Sequence, residues 1–100
     1  MLGIVSRERT AYLVGWYIYI VQCHDGSLYT GITIDLEQRI AAHNAGNGAK
    51  YTATRRPVRL IYCEDAANRS LASKREIAIK RLDRKSKLAL CGKKNGVNLG

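Results

Sequence analysis

The residues best equipped for chemistry are three tyrosines followed by a cation, an imidazole and a carboxylate. Tyr17 and Tyr19 flank Ile18, and Tyr29 opens Tyr29-Thr30-Gly31 ten residues after Tyr19. Arg39 and His43 then stand four residues apart, and Glu76 lies further along the chain. A phenol can exchange a proton, a guanidinium can neutralise charge, and an imidazole titrates near neutral pH. A lone carboxylate such as Glu76 is enough to hold Mg²⁺ when waters and a substrate phosphate supply the other oxygens. Each residue also has a plainer reading. Tyrosines are common in strands, and Glu76 with Lys80 forms a Glu-to-Lys i,i+4 pair worth about 0.2–0.5 kcal/mol on a solvated helix. Only the joint spacing separates the two readings.

The elements that must position these residues are readable from local pattern. Trp16, Ile18 and Ile20 alternate with Tyr17, Tyr19 and Val21, so both faces are largely apolar, as in a central strand covered on both sides. His24-Asp25-Gly26-Ser27 is a turn signal, and Leu28 to Ile32 reads as the returning strand. Register decides whether Tyr19 and Tyr29 share a face. A two-residue Asp25-Gly26 loop separates them, whereas a three-residue His24-Asp25-Gly26 loop pairs Val21 with Tyr29 and Tyr19 with Gly31. The three-residue loop, with Gly26 left-handed, is the expectation.

Asp35, with Gln38 three residues on, caps a first helix that carries Leu36 and Ile40 inward and ends around Asn44 to Gly48. Arg39 and His43 border that apolar stripe and can overhang the sheet. The stretch from Asn47 to Pro57 reads as a basic loop. In it Tyr51 could stack on a base while Lys50, Arg55 and Arg56 meet phosphates. Val58 to Glu64 reads as a third strand, with Val58, Leu60 and Tyr62 alternating against Arg59, Ile61 and Cys63. Asn68 caps a second helix with Leu71, Ala78, Ile79 and Leu82 as its stripe and Glu76 at the border, and a shorter helix follows over Lys85 to Leu90.

Composition sets the outer bounds. A chain of 100 residues with 46% hydrophobic content supports one small packed core, so a single domain over 1–100 is expected, its core about 14–84, with a short N-terminal arm and a basic helical tail. Seventeen Lys and Arg against eight acids give a net charge of +9, which favours a polyanion such as nucleic acid. Residues 74–94 hold nine of those cations and two acids, so a nucleic-acid face could include Lys80. Cys23, Cys63 and Cys91 are far apart and odd in number, which points to reduced thiols and a cytoplasmic home and away from disulfides or structural zinc. Arg7 and Arg9 before the apolar run Ala11 to Val21 look like the start of a signal peptide. No small-residue cleavage site follows, and the run is too short to span a bilayer, so it is read as strand and no membrane is expected.

Tyr17-Ile18-Tyr19, Tyr29-Thr30-Gly31, Arg39, His43 and Glu76 together resemble the GIY-YIG nuclease family, in its small standalone bacterial branch, over roughly Trp16 to Leu82. The departures are Tyr17 in place of the name-giving Gly, Thr30 in place of Ile, and Ile32 and Thr33 where some relatives place a Lys. The family's late Asn has only Asn95 and Asn98 as candidates. The resemblance implies an α+β fold of β-β-α-β-α order, a small three-stranded, mainly antiparallel sheet flanked by helices. It also implies a catalytic set of Tyr17, Tyr19, Tyr29, Arg39 and His43, with Glu76 holding one divalent ion, Mg²⁺ or alternatively Mn²⁺. Tyr19 is then the expected general base, its pKa lowered by Arg39 and the metal, with Tyr29 and His43 placing water.

The implied activity is hydrolysis of DNA phosphodiester bonds, in repair or recombination, by a monomer; RNA remains open as a substrate. A non-catalytic nucleic-acid-binding module on the same scaffold is the alternative, consistent with the absent Lys. A protein-interaction domain would instead need a sizeable exposed apolar patch.

Overall fold

The computed structural model describes residues 15–99, with side chains described through residue 92. Arg7, Arg9 and the start of the run from Ala11 lie outside the described residues, as do the side chains of Asn95 and Asn98. Strand β1 (Trp16–Gln22) runs into β2 (Leu28–Thr33), helix α1 (Leu36–Asn44), a short helix α2 (Lys50–Ala53), strand β3 (Arg59–Ala66), helix α3 (Arg69–Lys80) and helix α4 (Arg84–Leu99). The sheet order is β2-β1-β3, all antiparallel, so the apolar β1 is central. No helix among the described residues is long and apolar enough to cross a membrane.

The hairpin has the expected register. Val21 pairs with Tyr29 and Tyr19 with Gly31. The three-residue loop is closed by Cys23 N–H to Ser27 O at 2.8 Å, and Gly26 takes φ 88°, a left-handed conformation that L side chains rarely adopt. Tyr19 and Tyr29 therefore share one face.

The two faces of β1 bury different sets. Ile18 and Ile20 pack with Tyr62, Ala72, Ile79 and Cys91 under α3 and α4, and burying each isoleucine contributes about 1.5–3 kcal/mol. Tyr19 and Val21 pack with Cys23 and Val58 beneath Leu36 and Ile40 of α1. The result is three layers, with α1 and α2 on one face of the sheet and α3 and α4 on the other.

Both predicted caps are present. The Asp35 side chain accepts from Gln38 N–H at 3.0 Å and that of Asn68 from Leu71 N–H at 2.9 Å. On the far face Tyr62 O–H donates to Glu64, which also accepts from Arg75 Nε at 2.6 Å and so ties α3 to β3. Burial and the neighbouring Glu64 carboxylate push the Tyr62 hydroxyl up to about 12.

Four expectations need correction. The loop from Asn47 to Pro57 contains α2. The final helix is longer than Lys85 to Leu90. The alternation of Val58, Leu60 and Tyr62 breaks at a β-bulge, because Ile20 pairs with Tyr62 but Val21 with Leu60, leaving Ile61 as the extra residue. Val58 and Tyr62 consequently enter opposite cores. The α3 stripe is rotated as well. Ala72 and Ile79 are buried while Leu71 is 48% exposed and Leu82 39%, because a small alanine lets the helix sit close to the sheet where leucine would hold it off.

Candidate active site

The site lies on the Tyr19 face and is built from β1, β2, α1 and α2. Tyr19 and His43 are both 0% exposed, and the Tyr19 hydroxyl lies 2.8 Å from His43 Nε2. Arg39 Nε donates to the same hydroxyl at 3.4 Å, and Arg39 Nη2 donates to Gly48 O at 3.0 Å. One turn of α1 separates Arg39 from His43, so the apolar contacts of Leu36 and Ile40 that seat the helix also aim both polar side chains at Tyr19.

Glycines make the close approach possible. A Cβ on Gly31 would stand 2.5 Å from the Tyr19 hydroxyl, and one on Gly48 would collide with the His43 ring. On its other side His43 Nδ1 lies 2.8 Å from Thr52 Oγ1. Thr52 is fully buried at the heart of α2. The expected loop contained neither role: Thr52 and Gly48 reach His43 only because α2, which has no side-chain cap, folds against it.

The second tyrosine lies beside the first. The Tyr29 ring meets His43 edge-on, with centroids 5.3 Å apart, and stacks on Tyr51 at 6.1 Å with an interplanar angle of 22°. Unlike Tyr19, Tyr29 is only half-buried. Tyr17 shares the face of Tyr19 two residues along, but no hydrogen bond among the described residues joins it to the Tyr19–His43 pair.

Electrostatics correct one expectation. The Tyr19 hydroxyl is raised above the usual tyrosine value, because burial outweighs the opposing hydrogen bond and charge of Arg39, and Tyr29 and Glu76 push it further up. His43 is shifted the other way, held down by burial and then by Arg39, which favours the neutral ring.

Glu76 comes from the opposite layer. It is half-buried, on the inward stripe of α3 with Ala72 and Ile79, and its charge is felt at Tyr19. Its carboxylate also pairs with Lys80 Nζ at 3.3 Å, the plain i,i+4 bridge the sequence allowed. Among the described residues no group of three His, Cys, Asp or Glu side chains could hold a metal.

The basic segment is partly engaged internally. Arg55 lies 4.0 Å over the Tyr51 ring and pairs with Asp25 at 3.2 Å. Arg56 donates to Ala53 O at 2.9 Å and Asn44 O at 3.3 Å, bracing the α1 and α2 ends. Lys50 is exposed at the start of α2, and Tyr51 is 40% exposed.

Comparison with known proteins adds an independent line. A family model described as GIY-YIG catalytic domain matches residues 15–89. A UPF0213 protein of Staphylococcus haemolyticus is 57% identical over 74 residues, covering 74% of this chain and 90% of the relative. A UPF0213 protein of Cupriavidus pinatubonensis is 46% identical over 78 residues, covering 78% and 87%. The solution structure of a UPF0213 protein from Bacillus halodurans superimposes with a TM-score of 0.54 at 42% identity, covering 81% of this chain and 86% of that one.

Proposed function

The chain belongs to the GIY-YIG catalytic domain family, alongside its UPF0213 relatives, and from that premise we propose that it is a divalent-metal-dependent endonuclease hydrolysing DNA phosphodiester bonds. The observation that carries this reading is the convergence of Arg39, Tyr19 and His43 in one hydrogen-bonded cluster, beside Tyr29 and within the field of Glu76.

The donor set fits a single hard cation. Glu76 offers a carboxylate whose charge reaches Tyr19, and because no group of three His, Cys, Asp or Glu side chains among the described residues could hold a metal, the other positions would fall to waters and the substrate phosphate, as Mg²⁺ accepts and Mn²⁺ tolerates. When bound, such an ion polarises a phosphoryl oxygen as a Lewis acid.

The protein's own residues do the rest. Arg39 neutralises charge gathering on the phosphate oxygens, its position fixed by Tyr19 and Gly48. The proton of the attacking water goes to a tyrosine oxygen. Tyr19 is fully buried and so a poor partner for water, and the base role expected of it passes to the half-buried Tyr29 beside it. Tyr19 and His43 then serve as the fixed frame for Arg39 and Tyr29. Lys50, Tyr51, Arg55, Arg56 and Lys80 remain the proposed nucleic-acid contacts, and repair or recombination the proposed setting. Cleavage that requires both a divalent ion and Glu76 is the test.

A further inference from the structure

The hydrogen bonds around His43 form one continuous chain when the Thr52 hydroxyl donates to Ala49 O, which also accepts from Ala53 N–H at 3.0 Å. Arg39 Nε can only donate, so the Tyr19 oxygen accepts from it at 3.4 Å. At the other end the Thr52 hydroxyl lies 3.2 Å from Ala49 O, a carbonyl that can only accept. Thr52 has a single proton. With that proton directed to Ala49, its oxygen can serve His43 only as an acceptor, so Nδ1 must carry the hydrogen of their 2.8 Å bond. In the neutral ring Nε2 is then bare and takes the Tyr19 proton at 2.8 Å.

We propose that Thr52 is a positioning residue of the active site, whose hydroxyl fixes neutral His43 as the Nδ1–H tautomer and thereby orients Tyr19 and Arg39. The chain Arg39 to Tyr19 to His43 to Thr52 to Ala49 starts and ends on one backbone corner, since Arg39 also bonds Gly48 O. With the opposite tautomer, Tyr19 would have to turn its proton away from His43, towards the side from which Arg39 donates. The chain would then carry two donors facing each other. Gly48 contributes by admitting the ring, because a side chain there would displace it from Thr52. No buried side-chain polar atom among the described residues lacks a partner, so removing the Thr52 hydroxyl strands the Nδ1–H.

The catalytic consequence rests on the proposed nuclease reading; the tautomer does not, and the two are measured separately. Long-range ¹H–¹⁵N correlation of His43 at pH 7.5 is expected to show a protonated Nδ1 and a bare Nε2 in the wild type. Thr52→Val keeps the shape and removes the hydroxyl, and is expected to lose that signature, while Thr52→Ser keeps it. In cleavage assays at equal DNA occupancy, Thr52→Val is expected to lower turnover by about tenfold or more with DNA affinity unchanged, and Thr52→Ser to restore most of it. A wild-type ring protonated at Nε2 overturns the proposal without any variant, which keeps it falsifiable even if Thr52→Val does not fold. A folded Thr52→Val that retains the Nδ1–H signature, or that loses it without losing turnover, overturns it as well. Absence of cleavage by every protein, with the Nδ1–H signature present, contradicts the nuclease reading and the catalytic half of the proposal while the tautomer assignment stands.

Discussion

Gly31 lies directly beneath the Tyr19 phenol, so close that a Cβ added there would stand 2.5 Å from the hydroxyl oxygen. The register that pairs these two residues across the hairpin also carries Tyr29 onto the same face. The Tyr-x-Gly motif thus supplies Tyr29 on the Tyr19 face and, two residues later, the space that Tyr19 needs. Gly31→Ala must displace a fully buried ring, with an expected cost of about 1–3 kcal/mol. Thermal unfolding checks the cost, and loss of cleavage beyond that of a peripheral variant of equal stability checks the role.

His43 gives a pH dependence of known sign. Its folded-state pKa is lowered by burial and by Arg39, so the unfolded chain binds the proton more readily. The contribution is fully present above the unfolded value of about 6.5 and is lost as pH falls through the folded value. Melting temperatures between pH 8 and 5 are expected to fall on the acid side for the wild type and to fall less for His43→Gln.

Much of this arrangement is local and therefore legible in sequence. The loop His24-Asp25-Gly26, the caps Asp35 and Asn68, and the i,i+4 placement of Arg39 and His43 depend on a few neighbouring residues, and all are found as expected. What escaped depends on distant partners. The bulge at Ile61 exists only against β1, and the choice of Ala72 over Leu71 as the inward residue of α3 is made by the sheet beneath it. Thr52 becomes informative only when α2 is folded against His43. Arg39 and a bound metal suggested a lowered Tyr19 pKa from charge; among the protein's own groups burial outweighs Arg39. The complete burial that reverses the shift is a property of three packed layers.

Asn68 caps α3, the helix that carries Glu76. Asn68→Ala removes the acceptor for Leu71 N–H and is expected to cost about 1 kcal/mol, with Asn68→Gly costing only a few tenths. Denaturant titration of the two variants distinguishes them.

Lys50 and Arg56 are both cationic neighbours of the site but differ in what else they hold. Lys50→Ala is expected to weaken DNA binding at all sequences and to reduce the slope of log affinity against log salt by about 0.9, the value of one phosphate contact. Arg56→Ala also removes its bonds to Ala53 and Asn44, and is expected to lower stability as well. Anisotropy titrations over a salt series, paired with melting curves, separate the two effects.

The central claim is tested most directly by cleavage of single-stranded, duplex, flapped and branched DNAs with Mg²⁺ or with chelator, comparing wild type and Glu76→Ala at equal DNA occupancy. The account predicts metal-dependent cutting by the wild type, a loss of about a hundredfold or more in Glu76→Ala turnover, and nearly unchanged binding. Salt-sensitive binding by both proteins, with no cleavage by either at any metal concentration, would contradict it and favour a nucleic-acid-binding module on the same scaffold.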